Sequence, residues 1–407
     1  MHVLVVAQLF PPDIGGGGTR AYNVARGLIY LGHKVTVITA FPHYPTGRIP
    51  KKYRHKLVSV EICGKVKTIR TWVPPLASRG LAKRFVLFFS FIVSSLFAFP
   101  FTGPVDVVWA ANPNTLSVYP SLVYHLFKKC QVVQNVDDLW GGEELYNAGM
   151  LRSRLLRKVA DFVSGFAYKT SAAITPISPG YVDVIVSRYK VDRKKVHVVR
   201  AGVDIANFKP RISTKQTKER ETFNVLYIGS LALAYDFDCV LKAANLLSYE
   251  NRIRFVIQGE GEQGDYLRFK VKEMNLQNTD IILKVVSRRK VAEILSSAGV
   301  LLLPLGDYDY TGISSKLYEY QASGRPIICC AKGHPARYIL QTGSGIVVNP
   351  GDPNDLAKVI TFLFSNAELR EKLGKAGRKY VEDNLSCEKV GLKMERVFVN
   401  ALLQRHG

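Results

Sequence analysis

The chain has 407 residues, more than one hydrophobic core of ordinary size organises and about right for two domains. It is 47% hydrophobic and 22% charged, which excludes a disordered chain, and its cysteines (Cys63, Cys130, Cys239, Cys329, Cys330, Cys387) form no C-x-x-C pair and no cluster with histidine, so reduced thiols and no metal site are expected. Of the net charge of +23, residues 1–203 carry +17 and residues 204–407 only +6; an anionic membrane or a phosphorylated acceptor fits that basic half, whereas nucleic acid does not, since no zinc finger, basic zipper or aromatic RNP signature is present.

The first residues, MHVLVVAQLFPP, read as a strand over His2 to Ala7 rather than a signal peptide, because no basic leader or small-residue cleavage site accompanies the apolar run. A loop ending in four glycines, a helix over Thr19 to Leu31 and a strand over Lys34 to Thr39 complete a βαβ unit. The run is not the G-x-G-x-x-G fingerprint. Still, Gly16, Gly17 and Gly18 let backbone approach a ligand closely at a helix start, and Arg20 lies within reach of an anionic group. Phe41 to Gly47 is a loop with two prolines, and the basic run Lys51 to Lys56 reads as a mobile, solvated loop.

Arg79, Lys83 and Arg84 precede an uncharged stretch from Phe85 to Val105. Pro100 ends a helix there near Phe99, which leaves about 15 residues, short of the ~20 that span a bilayer. Phe85, Phe88, Phe89, Ile92, Leu96 and Phe99 share a broad face, which fits either a helix lying at a membrane surface or a core helix. A strand over Val105 to Ala110, a turn at Asn112-Pro113-Asn114, a helix to Phe127 and a strand over Cys130 to Asn135 lead into Asp137-Asp138-Leu139-Trp140. Arg152 to Tyr168 is a basic amphipathic helix, Ala173 to Pro176 a strand, Ser178 a helix start, and Val196 to Val199 the last strand of this half.

The second half repeats the alternation. Ile212 to Glu221 reads as a flexible insert; strands follow at Phe223–Ile228, Arg254–Gln258 and Ile281–Val285, and helices at Phe237–Leu247, Tyr266–Met274 and Arg289–Ser297. The richest stretch is Val300 to Cys330. It reads as a buried strand over Val300 to Leu303 and a polar loop from Gly306 to Ser315. A helix capped by Ser314 then stops at Ser323-Gly324, and a strand runs from Ile327 to Cys330. Such a helix start suits a phosphate, Lys316 adds a full charge beside it, and Glu319, one turn on, is long enough to accept two ribose hydroxyls. Helices over Asp355–Asn366, Glu368–Asp383 and Cys387–Leu403 close the chain. Strands and helices alternating in two halves predict an α/β fold with two doubly wound domains.

The run Ser-Lys-Leu-Tyr-Glu-Tyr-x-Ala-x-Gly-x-Pro over 315–326 resembles the donor-site signature of retaining GT-B glycosyltransferases of family 4. It is most similar to the fucosamine-transferase-like branch that builds surface polysaccharides and lipid-linked oligosaccharides. Phe10–Arg20, Phe41–Gly47, Asp138–Trp140 and the linker Gly202–Pro210 resemble segments of the same branch. The resemblance implies two Rossmann-like domains facing a central cleft. Residues 1–203 are the acceptor side, with helix 386–407 packed back on it, and residues 204–385 bind the nucleotide sugar. It implies donor contacts at Gly16, Gly17, Gly18, Gly229, Ser230, Ser287, Arg288, Thr311, Gly312, Ser314, Ser315, Lys316 and Glu319. Arg20, Asp137 and Trp140 are implied on the acceptor side, and Asp138, at a strand's C-terminal end, is the catalytic candidate that orients the acceptor hydroxyl. The chain departs from the family at Thr311, where many members have Glu, and at Ser230 and Tyr235, where many have Arg and Lys on the donor diphosphate. Asp137 stands where many have Arg, and Ala201 where the linker has Asn.

The implied activity moves a hexosyl or N-acetylhexosaminyl unit from a nucleoside diphosphate sugar, UDP-sugar favoured, with retention and without metal or cofactor. The implied acceptor is a saccharide or lipid-linked saccharide, at the cytoplasmic face of an anionic membrane. Asp307-Tyr308-Asp309 matches a metal-binding Asp-x-Asp, but the donor loop is its simpler context. The missing Arg and Lys motivate a second reading, a non-catalytic subunit partnering an active transferase; a nucleotide-sugar epimerase is a third.

Overall fold

Valine- and isoleucine-rich runs form strands in both halves because branched side chains pack well on a pleated surface buried on both faces. A computed structural model describes residues 1–404 except 14, 45, 78–80, 112–115, 117, 148–150, 209 and 211–221. The expected turn at 112–114, the insert at 212–221 and the basic residue Arg79 lie outside the described residues. The chain divides into two units, Met1–Gly202 with Cys387–Gly407, and Val203–Ser386.

The first unit carries strands β1 (His2–Val6), β2 (Lys34–Ala40), β3 (Val58–Cys63), β4 (Val66–Thr71), β5 (Val107–Ala110), β6 (Gln131–Val136) and β7 (Ala173–Pro176). Their order is β3-β4-β2-β1-β5-β6-β7, parallel except for the antiparallel β3–β4 hairpin. Its helices are α1 (Gly16–Tyr30), α2 (Leu81–Leu96), α3 (Val118–Lys128), α4 (Gly142–Asn147), α5 (Arg154–Thr170) and α6 (Pro179–Tyr189). The second unit has β8 (Phe223–Ile228), β9 (Ile253–Gln258), β10 (Thr279–Ile282), β11 (Val300–Tyr310), β12 (Ile327–Gly333) and β13 (Gly345–Val348). They form a parallel sheet of order β10-β9-β8-β11-β12-β13. Around it lie α7 (Phe237–Leu246), α8 (Gly264–Glu273), α9 (Arg288–Ser296), α10 (Lys316–Ala322), α11 (His334–Thr342), α12 (Pro353–Ser365) and α13 (Ala367–Asn384). The last helix, α14 (Cys387–Leu403), belongs to the first unit. The expected α/β, Rossmann-like architecture is present in both units.

In the first unit α1 buries Ala21, Val24, Ala25 and Leu28, the i, i+3, i+4, i+7 stripe of an amphipathic helix. α14 buries Val390, Met394, Val397 and Phe398 in the same cluster, each contributing roughly 1.5–3 kcal/mol. The two helices cross at glycines. A Cβ on Gly27 would lie 2.0 Å from the Cys387 carbonyl oxygen, so only glycine permits that approach.

Several sequence expectations are corrected. The helix expected from Thr19 begins at Gly16, so the glycines form its first turn. The basic run at 51–56 leads from a 3-10 turn into the β3–β4 hairpin, which was missed because Glu61 and Arg70 interrupt its apolar alternation. The strand expected at 196–199 is a single bridge from Val196 to Ile174. The loop expected after Leu303 is strand as far as Tyr310, and α11 and β13 were not anticipated. The face expected after Arg84 is not the buried one: Leu87 and Phe91 enter the core, Phe85 and Phe89 of the expected face are exposed, and Phe88, Ile92, Leu96 and Phe99 are half-buried.

Candidate active site

In the second unit, Gly229 follows the last residue of β8, and the side chain of the first residue of the short helix α10 lies against it. Lys316, the first residue of α10, extends across Gly229 and donates to the Tyr227 hydroxyl at 2.6 Å and the Tyr235 hydroxyl at 2.8 Å. Gly229 has φ +151°, and a Cβ there would fall 2.2 Å from Lys316 Cε, so the lysine stem and a side chain at 229 exclude each other. Gly259 beside it has φ +154°, and a Cβ there would fall 1.7 Å from the Gly229 carbonyl oxygen. Burial pulls the Lys316 ammonium below its ordinary value, and Tyr235 and then Glu319 oppose that shift.

One turn along the same helix, Glu319 Oε1 accepts from Arg288 Nη2 at 2.9 Å. Burial raises the Glu319 carboxyl, while Arg288 and then Lys316 draw it down. Arg288 is the first residue of α9, whose N-cap is Ser287; the Ser287 hydroxyl accepts from Lys290 N at 3.4 Å. Lys316, Glu319, Arg288, Gly229 and Ser230 therefore gather at the C-terminal end of β8, and Ser230 offers its carbonyl to the Tyr227 hydroxyl. Thr311 and Gly312 follow the end of β11, and Thr311 is exposed. Ser314 is not the helix cap: α10 starts after Ser315, neither serine caps with its side chain, and the Ser314 carbonyl accepts from Leu317 N. At the start of α10 the Leu317 and Tyr318 amides already donate to the Ser314 and Ser315 carbonyls, and the charged side chains there are Lys316 and the Arg288–Glu319 pair. Asp307 of the Asp-x-Asp pattern pairs with Lys332 at 2.6 Å.

In the first unit, Gly16, Gly17 and Gly18 form an α1 N-terminus with no side-chain cap. Gly18 lies against Leu9, where a Cβ would meet backbone at 3.1 Å. Asp13, just ahead of the glycines, accepts from the backbone amides of His43 at 3.1 Å and Tyr44 at 3.2 Å, which ties the glycine loop to the proline-containing loop. Burial pushes Asp13 up to about 7 against those two donors, and it holds His43 below its ordinary value.

Arg20 and Asp137 are turned onto each other. Arg20 Nη1 donates to Asp137 Oδ1 at 2.7 Å, and Nη2 donates to the Val199 carbonyl at 2.6 Å, with both residues buried. Trp140 is half-buried: its ring meets Phe88 edge-on at 5.7 Å and its carbonyl accepts from Ser164 Oγ at 3.1 Å. Asp138 alone of this group is exposed. Surrounding protein raises its carboxyl, the like charge of Asp137 acts in the same direction, and contact with solvent tempers the desolvation.

Reading the residues in order missed Tyr227 and Tyr235. Tyr227 looked like one more apolar position in a buried strand, and Tyr235 registered only as an absent lysine. The one available signal was Lys316 itself, a cation at an expected helix start.

The model of the "Glycosyltransferase Family 4" family matches residues 14–207, and that of "Glycosyl transferases group 1" matches residues 208–380. An uncharacterized glycosyltransferase of Methanocaldococcus jannaschii is 21% identical over 414 residues, covering 99% of each chain. Among solved structures, sucrose-phosphate synthase from Thermosynechococcus elongatus superposes with a TM-score of 0.74 at 16% identity, covering 100% of both chains. Anabaena HepE in complex with UDP and glucose superposes with a TM-score of 0.68 at 11% identity, covering 98% of this chain and 99% of that one.

Proposed function

The chain belongs to the GT-B glycosyltransferases of the group 1 and family 4 type, and from that premise we propose that it transfers a sugar with retention from a nucleoside diphosphate sugar to a lipid-linked saccharide. The observation that carries the donor half of this reading is the pairing of Lys316 and Glu319 one turn apart on α10. A cation held at Gly229 suits the diphosphate, and a carboxylate whose Oε1 is engaged by Arg288 keeps Oε2 for the ribose. The α1 glycine turn offers free amides of the kind that meet an anion. The UDP in HepE favours uridine as the base. In the reaction the anomeric carbon–oxygen bond to the leaving phosphate breaks, the acceptor hydroxyl enters from the same face, and a phosphate oxygen takes its proton. Asp138, exposed beyond β6, orients that hydroxyl; Arg20 and Asp137 support the site from beneath rather than touch the acceptor. The retained lysine and glutamate favour a transferase over a non-catalytic subunit.

Purified protein supplied with a panel of nucleotide sugars and saccharide acceptors should release nucleoside diphosphate, and the product should keep the donor's anomeric configuration by NMR. Release without transfer to any acceptor, or an inverted product, would overturn the reading. Glu319→Gln should weaken the nucleoside diphosphate and the bare nucleoside alike, by about tenfold, through loss of a charge-assisted hydrogen bond of ~1.5 kcal/mol. The melting temperature should hold. An unchanged dissociation constant sinks the ribose assignment.

The membrane half of the reading rests on one face of the first unit. α2 exposes Phe85, Phe89 and Val93, and the turn after it exposes Phe97; α5 exposes Leu155, Val159, Phe162 and Phe166. Lys83 on α2 and Arg154 and Lys158 on α5 are exposed beside them. No helix among the described residues is long and apolar enough to cross a membrane, so the fitting mode is a helix face resting in the interface. Phe88 packs on Trp140 and is no part of it. Binding to vesicles containing anionic lipid is expected at low salt, with each basic residue worth roughly 1 kcal/mol near the surface. Phe89→Ser with Phe162→Ser should remove the part that survives high salt. Wild-type protein that ignores such vesicles would leave the lipid-linked acceptor without support.

A further inference from the structure

The lysine at the donor end of β8 is held by two phenols, and this arrangement has consequences beyond the presence of a charge. Lys316 Nζ is 4.6 Å and 4.2 Å from the ring centroids of Tyr227 and Tyr235 but only 2.6 Å and 2.8 Å from their oxygens. The hydrogen bonds, not the ring faces, therefore carry the contact.

The Tyr227 phenol and the turn that carries Tyr235 are each fixed. Tyr227 donates its own proton to the Ser230 carbonyl. The Tyr235 turn is pinned by Gln263, which donates to the Ala232 and Tyr235 carbonyls at 2.7 Å and 2.9 Å. Asp236 N donates to the Pro304 carbonyl at 2.9 Å, and the Tyr310 hydroxyl to the Ala234 carbonyl at 3.0 Å. The two rings meet at 5.2 Å and an interplanar angle of 63°.

We propose that Tyr227 and Tyr235 are positioning residues that hold the Lys316 ammonium at Gly229, with two of its three N–H groups on the phenols and the third directed to the anionic part of the donor. A free lysine stem loses rotamer entropy when a ligand immobilises it. Here the clasp has already ordered the stem, and the ligand meets a preorganised donor. Position 235, where a cation is expected by resemblance, thus serves Lys316 instead. The inference rests on the reading of Lys316 as the phosphate contact.

The groups facing Lys316 are Tyr227 on β8, Tyr235 on the following loop, and Glu319 on its own helix, with Arg288 of α9 behind Glu319. Of the two phenols, Tyr235 favours the charged ammonium, against the desolvation that disfavours it. Removing the Tyr235 hydroxyl must therefore move the lysine's titration further down.

The test uses full-length protein and whichever of UDP, GDP, ADP and TDP it binds tightest, with the matching nucleoside as control, by calorimetric titration across neutral to alkaline pH. Tyr235→Phe should weaken the diphosphate about tenfold, as for one charge-assisted hydrogen bond, and leave the nucleoside unchanged. The alkaline fall in diphosphate affinity should begin at lower pH than in wild type. Tyr227→Phe should weaken the diphosphate in the same selective way. A merely structural role would weaken diphosphate and nucleoside together and leave the pH midpoint in place, and that result overturns the proposal. Unchanged diphosphate affinity in both Phe variants overturns it too. Lys316→Ala separates the two levels: if it loses the diphosphate while the Phe variants do not, the clasp fails and the functional reading stands. If Lys316→Ala loses nothing, the functional reading fails with it.

Discussion

Arg20→Ala is expected to destabilise the protein by about 3–5 kcal/mol, because it leaves the Asp137 carboxylate buried without its counter-charge. Arg20 is 2% exposed and Asp137 9%, so water cannot replace the lost partner without opening the fold. The same substitution removes a donor from the Val199 carbonyl, which adds to the loss. Denaturant unfolding of the first unit reads the effect. Removing the charge at both ends, with Arg20→Met and Asp137→Leu together, should recover much of it, since a buried pair is often replaceable by apolar residues of similar volume. A loss under 1 kcal/mol in Arg20→Ala would mean the pair is solvated in solution. Losing Arg20 should affect donor affinity only through stability, which distinguishes it from a residue that touches ligand.

Lys316→Ala is expected to lower affinity for the nucleoside diphosphate about ten- to hundredfold, the range of one charged hydrogen bond of ~1.5–3 kcal/mol, and to leave the bare nucleoside nearly unaffected. The pH dependence has a definite sign. The ammonium is the binding form, and its pKa is depressed by burial. Affinity is therefore full below that pKa and declines as pH rises through it, starting at lower pH than for an ordinary lysine. In Lys316→Ala this alkaline decline should vanish. Equal losses for diphosphate and nucleoside would place Lys316 away from the phosphates.

The recognisable parts of the site in the sequence are those that lie close together in the chain. Lys316 and Glu319 are three residues apart on one helix, so their common face follows from helical spacing alone. Ser314 misled because it has the chemistry of an N-cap, and only the backbone shows that the helix begins one residue later. The Phe-rich run was assigned a face of Phe85, Phe88, Phe89, Ile92, Leu96 and Phe99, but the core takes Leu87 and Phe91, and periodicity alone could not say that Phe88 meets Trp140 while Phe89 reaches solvent.

Residue order was enough to read the α/β class, the parallel strands and the amphipathic helices. Each of those is set by the period of burial along a few residues, 2 for a strand and 3.6 for a helix. It also determined the motif at 315–326, because a helix stop and its charged face are local chemistry. The folded chain settles which charges meet. Arg20 and Asp137 are 117 residues apart, and Lys316 finds its phenols 89 and 81 residues away. It alone decided that α14 returns to α1 across Gly27, and that Glu61 and Arg70 face each other within a hairpin. Such contacts join separate elements whose order in the sheet is not written in any short window, so no local pattern announces them.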